Sequence, residues 1–173
     1  MAWRYRARSP SSALLAILAS ALAAGSVALA ASRGSAAEDE LYAVVASVDV
    51  PVKSLSIEDL RRLFLFRERY WKPGLPAKII LSEEGLEPNS YLLSQIYGRD
   101  YPSLRRLIIE KLYQEEIDLA PKVVASDELA VVFVASGRGL IALVHASAAR
   151  GTNAKLVAID GLLPGMPGYG LRR

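Results

Sequence analysis

The chain has no cysteine and a single histidine, His145. The first absence rules out a disulfide framework and a thiolate for catalysis or metal binding, so the fold must be held by its core. The second leaves no histidine cluster for a metal, and no Ser-His-Asp arrangement is legible around His145. Acidic side chains are missing from the first 37 positions, and a basic excess is missing from the remainder. Four of the 21 Lys and Arg residues, namely Arg4, Arg6, Arg8 and Arg33, precede Glu38, and all 18 Asp and Glu follow Ala37, so the chain from Glu38 carries 17 basic against 18 acidic side chains. The formal charge of +3 belongs to the leading segment. A nucleic-acid partner needs a dense basic face on the folded domain, and none is legible.

The leading segment has an order of its own. Arg4, Arg6 and Arg8 are followed by a small, uncharged apolar run from Ser11 to Ala31. Ala28-Leu29-Ala30 offers a small-residue cleavage site, and Ser35-Ala36-Ala37 offers a second. This is the pattern of a secretory signal peptide over residues 1–37, cleaved after Ala30 or Ala37. An uncleaved anchor is the rival reading, because about 20 apolar residues can span a bilayer. Either way the domain is expected outside the cytoplasm, over residues 38–163, with a Gly/Pro-rich tail over 164–173.

Leu41 to Val48 is valine-rich and predicts a strand buried on both faces. Ser56 is a good N-cap, with Glu58 and Asp59 in the first turn where the helix dipole favours carboxylates. Asp59 stands three residues after Ser56, the spacing of a shortened capping box. Ile57, Leu60, Leu63 and Phe64 share one face of that helix, and Glu58 is spaced to pair with Arg62. The helix is expected to stop near Phe66, before the turn RERYWKPG. Lys78 to Leu81 predicts a second strand. Asn89 is the expected cap of a second helix stopped by Gly98, and a third helix is expected to begin around Pro102-Ser103. The segment LAVVFVAS has strand propensity, but Ser126-Asp127-Glu128 before it and Gly137 after it predict a helix. Leu140 to Val144 predicts a central strand and Lys155 to Ile159 a last one. Strands separated by helices imply an α/β fold, a three-layer sandwich on a mostly parallel or mixed sheet.

Several of these segments, in this order, resemble the phosphate-binding-protein-like members of the type II periplasmic binding protein superfamily. The carriers are AVVASVDVPVKSLS, the helix IEDLRRLFL, the turn ending in Trp71 and the strand KIIL. GLIALV from Gly139 resembles the family's GAIGYV strand, and Asp160-Gly161 followed by PGMPGYGLRR resembles its DG…P…PGYPL ending. The resemblance spans about Leu41 to Leu171. It implies a lobe of a non-catalytic substrate-binding component of ABC transporters, with a small anion or other small ligand and a transporter or sensor as partner. A ligand-free interaction module of the same fold, working with a membrane complex, a signalling protein or a second copy, is the alternative.

By the family's pattern, the anion would sit at a helix N-terminus in the loop after the second strand. Ser82, Asn89 and Ser90 are the ligand candidates there, and ordinary capping is the competing role. His145 joins them as the end of a strand, because strand ends in α/β sheets face ligand crevices. Glu83, Glu84 and Glu87 share the loop. Two like charges about 4 Å apart repel by roughly 4 kcal/mol at an effective dielectric of 20, so phosphate is expected to bind weakly or not at all. These acids lack the alternating ligands of a calcium loop. No metal, cofactor or catalytic residue is assigned. Arg67, Arg69 and Trp71 form the most basic and aromatic run and are the candidate partner surface, since Trp and Arg dominate interface energies. The competing role has Trp71 packed beneath its turn.

Overall fold

The computed structural model describes residues 41–172. The leader and its cleavage sites lie outside the described residues. Among the described residues there are eight strands, β1 (Tyr42–Ala46), β2 (Ser54–Leu55), β3 (Tyr70–Lys72), β4 (Leu75–Pro76), β5 (Lys78–Ser82), β6 (Lys122–Val124), β7 (Leu140–His145) and β8 (Lys155–Ile159). The α-helices among the described residues are α1 (Ile57–Phe64), α2 (Tyr101–Tyr113) and α3 (Asp127–Ser136), with a 3₁₀ turn at Glu84–Leu86 and a π-helix at Leu92–Tyr97.

Six strands form one sheet in the order β2-β8-β1-β7-β5-β6. Strand β1 runs antiparallel to both its neighbours, while β2 is parallel to β8 and β5 is parallel to β6 and β7. The sheet is therefore mixed, with β1 reversed among strands that share one direction. Every residue of β1 is buried, because helices cover both faces. Tyr42, Val44 and Ala46 face a core shared with α1, the π-helix and Leu104 of α2. Ala43 and Val45 face a second core with Ala130, Val131 and Val134 of α3. The alternation of one strand thus feeds two layers, and the molecule is a three-layer α/β sandwich. No helix among the described residues is long and apolar enough to cross a membrane.

Local signals explain most boundaries. The Ser56 hydroxyl accepts from the Asp59 amide at 3.0 Å, and the Asp59 carboxylate accepts from the Ser56 hydroxyl at 2.7 Å and its amide at 3.4 Å. The capping box is complete, and Leu60, Leu63 and Phe64 are buried. The helix ends at Phe64, with Phe66 left-handed two residues on. Its ion pairs are Glu58–Arg61 and Asp59–Arg62, each at 4.0 Å and three residues apart, instead of the expected Glu58–Arg62. α3 is a helix despite its β-branched sequence, since the Ser126 hydroxyl accepts from the Leu129 amide and Gly137 closes it.

Other expectations are corrected. Asn89 does not cap the second helix. It sits left-handed in the preceding turn, and the hydroxyl of Ser90 accepts from the Leu93 amide. The third helix begins at Tyr101, with Pro102 in its first turn as expected, and its cap is Asp100, which accepts from the Ser103 amide at 3.0 Å. The RERYWKPG segment contains β3 and the Pro73-Gly74 turn that leads into β4, so it is the first half of a hairpin. The irregular tail is also part of the packed body. Tyr169 and Leu171 are buried in the core, and the Tyr42 amide donates to the Leu171 carbonyl at 2.9 Å.

Candidate functional site

The carboxyl ends of β5 and β7, the entry to β1 and the first turn of α3 meet at one edge of the sheet. Pairing of Tyr42 with His145 places the start of the reversed strand there too. α/β sheets hold ligands at this edge, because their helix N-termini and loop amides converge on it.

Asp127, the first residue of α3, is the centre of the arrangement, and it is almost wholly buried. One of its oxygens accepts a short hydrogen bond from the Ser82 hydroxyl. The other accepts from the His145 backbone amide at 2.6 Å and lies 2.7 Å from His145 Nδ1. Ser82 in turn accepts from the Gly85 amide at 3.0 Å. Burial by itself raises the pKa of Asp127, but the bonds from the His145 ring and amide and from Ser82 outweigh it, so the carboxyl is held below its ordinary range.

Glu84 completes the site from the 3₁₀ turn, with Oε2 3.8 Å from His145 Nδ1. Its pKa is raised, by burial first and then by the charges of Asp127 and Glu128. The Tyr42 ring lies against the imidazole at 4.7 Å between centroids, tilted by 34°, and stacks on Tyr91 at 5.1 Å. The Ser82 hydroxyl points to Asp127 and not to the imidazole, so serine, aspartate and histidine do not form a nucleophile–base relay.

Two of the sequence candidates, Ser82 and His145, are thus brought together, both through Asp127. Ser90 is buried and occupied locally, donating to the Gly85 carbonyl at 2.6 Å. Asn89 lines a separate depression with Arg99 and Tyr101. Asp127 itself escaped the sequence reading. Its available signal was the Ser126 cap with an acid after it, which also marks any ordinary helix start. Its partners lie 45 and 18 residues away in the chain.

The run expected to meet a partner is partly engaged within the fold. The Trp71 indole donates to the Gly139 carbonyl at 2.9 Å, and Arg69 donates to the Glu116 carbonyl at 2.5 Å. Arg67 is exposed. Arg69 and Tyr70 border an apolar cavity of about 300 Å³ with Phe66, Ile79, Ile117 and Phe133. It opens at the amino ends of β5, β6 and β7, away from Asp127.

No family model matches the sequence, and no curated relative does. Solved structures do match. A phosphate ABC transporter substrate-binding protein with bound phosphate from Clostridium perfringens aligns with a TM-score of 0.56 and 16% identity, over 77% of this chain and 52% of that one. An ABC-type phosphate transport receptor from Vibrio cholerae gives 0.47 and 18%, over 72% and 48%. PstS from Borrelia burgdorferi gives 0.48 and 15%, over 72% and 49%. The chain spans about half the length of these structures. At this level of identity the likeness speaks for the backbone, and the chain has the α/β fold found in phosphate-binding-protein-like substrate-binding proteins.

Proposed function

We propose that the chain is an exported, non-catalytic protein of the substrate-binding type, serving transport or sensing, whose strand-end site takes no free phosphate and which works through a protein partner. The observation that carries this reading is the seat of the Asp127 carboxylate. A hydroxyl, a strand-end amide and an imidazole are the groups an anion site is built from. Here they are spent on an internal carboxylate, with Glu84 beside it. An arriving phosphate would have to displace Asp127 and face a second negative charge.

The partner follows from the open site. Small-ligand sites are concave and bury most of the ligand, whereas this one lies at the edge of a single sheet. A transporter, a sensor or a second copy would cover it or dock elsewhere, and the run Arg67, Arg69 and Trp71 is the proposed contact. Export rests on the Arg-rich start and Ala28-Leu29-Ala30, and intact mass from the native host tests it. Retention of Met1 to Ala30 would reject cleavage. Calorimetry of phosphate into the chain at neutral pH tests the central claim. No saturable heat is expected, and a dissociation constant of about 10 µM or tighter would overturn it.

A further inference from the structure

The geometry points to a divalent transition-metal site, zinc by its chemistry, made by Glu84, Asp127 and His145 Nδ1. The inference deepens the reading of this edge as closed to anions, and rests on it. Among the described residues, one ligand atom from each of these three side chains lies within 4.8 Å of the others. Nδ1 is 2.7 Å from the Asp127 oxygen and 3.8 Å from that of Glu84. Zinc bonds of about 2.0–2.2 Å in a tetrahedron set ligand atoms roughly 3.3–3.6 Å apart. The observed separations bracket that spacing. Binding needs a slight opening between Asp127 and His145 and an inward turn of Glu84, whose side chain is 42% exposed and is bonded to the Asp127 backbone amide, a bond the turn must share or release.

The donor set selects the ion. One imidazole nitrogen and two carboxylate oxygens suit zinc and its transition-metal neighbours. Calcium and magnesium prefer shells of oxygen alone, with more ligands than three side chains supply. Two of the three ligands are already oriented. Ser82 holds the far oxygen of Asp127, and the Gly85 amide holds Ser82. Supports of this kind fix a ligating carboxylate. The tilted Tyr42 ring packs against the imidazole and limits its movement. On binding, the metal replaces the proton shared by Nδ1 and Asp127, and the imidazole takes the tautomer protonated at Nε2.

The test uses the full chain purified without a histidine tag and stripped with chelator. Zinc chloride, and separately magnesium chloride, is titrated calorimetrically into this protein, into Glu84→Gln and into His145→Ala. One zinc per chain is expected at about 1–10 µM, no response to magnesium, and weakening of at least about 10-fold in each variant. Glu84→Gln alters a half-exposed side chain, so its result stands even if His145→Ala folds poorly. His145 is the only imidazole in the chain, so its ¹⁵N resonances report the metallated atom directly, and the shift is expected at Nδ1. The proposal is overturned by no saturable zinc binding, by binding in both variants as tight as in the parent chain (an adventitious ion only), or by a shift confined to Nε2. Phosphate titrated into the metal-free chain tests the parent reading separately.

Discussion

The indole nitrogen of Trp71 donates to the carbonyl of Gly139 at 2.9 Å, tying the β3–β4 hairpin to the start of β7. The same carbonyl accepts from the Lys78 amide at 2.9 Å, and the Gly139 amide donates to Asp49 at 3.1 Å. Gly139 itself is left-handed, at φ +68°, and a Cβ there would lie 2.3 Å from the Pro76 carbonyl oxygen. Gly139→Ala therefore combines backbone strain with a clash against backbone, and should destabilise by on the order of 3 kcal/mol. Trp71→Phe keeps an aromatic side chain but loses the indole N–H with its bond and part of the ring's contact, and should cost at least about 1 kcal/mol. Urea unfolding of both variants checks the pair. If Trp71→Phe removed native partners in a pull-down at unchanged stability, the indole would belong to the interface and not to this tie.

Asp127→Ala should destabilise by about 3 kcal/mol, because it strands the His145 amide and the Ser82 hydroxyl in a buried place. Asp127→Asn keeps an acceptor and should cost less. Chemical denaturation orders the two variants, and equal losses would mean that the charge, not the hydrogen bonding, supports this edge.

Much of the frame could be read from local sequence. β1 and β7 are continuous apolar runs, β8 is bounded by Lys155 and the Asp160-Gly161 turn, and the Ser56 and Ser126 caps lie beside their helices. β6 and the β3–β4 hairpin were missed because pairs of two or three residues carry no periodicity, and Val123 of β6 is exposed. Asp100 was overlooked because Pro102 drew the boundary inward. The core role of Tyr169 and Leu171 was hidden by the glycines and prolines around them. The site was half legible. Ser82 and His145 stand at strand ends, which the pattern marks, but what joins them is the burial of Asp127. Burial of one acid out of 18 depends on long-range packing, which no short window records.

The capping box of α1 predicts a defined acid response. Asp59 has a pKa below its ordinary 3.8, because the Ser56 hydroxyl and then its amide bond the carboxylate, with Arg62 adding its charge. A depressed folded pKa means that the native state favours the ionised form. The contribution is therefore complete above the ordinary value and is lost as pH falls through the lower folded one. Thermal melts of the parent and Asp59→Asn should differ at pH 7, with the parent higher, and should converge as pH drops below about 3.8. A gap of constant size at every pH from neutral down to the acid limit of the native state would show that shape and not charge explains the effect.

The last prediction concerns a hydroxyl with nothing to bind. Tyr97 closes the π-helix, is buried, and packs edge-on against Phe64 at 6.0 Å between ring centroids. Its Oη has no hydrogen-bond partner among the described residues, and burial pushes its pKa far upward. A buried hydroxyl without a partner costs roughly 1–3 kcal/mol in proteins, while the ring supplies apolar packing that outweighs this cost. Tyr97→Phe retains the ring and the contact with Phe64 and removes only the unsatisfied group. It should therefore stabilise the chain by about 1 kcal/mol, read as a raised urea midpoint at unchanged slope. Tyr97→Leu removes the ring as well and should lower the midpoint. Should Tyr97→Phe instead destabilise by more than about 1 kcal/mol, the hydroxyl is satisfied in solution and the packing argument at this position fails.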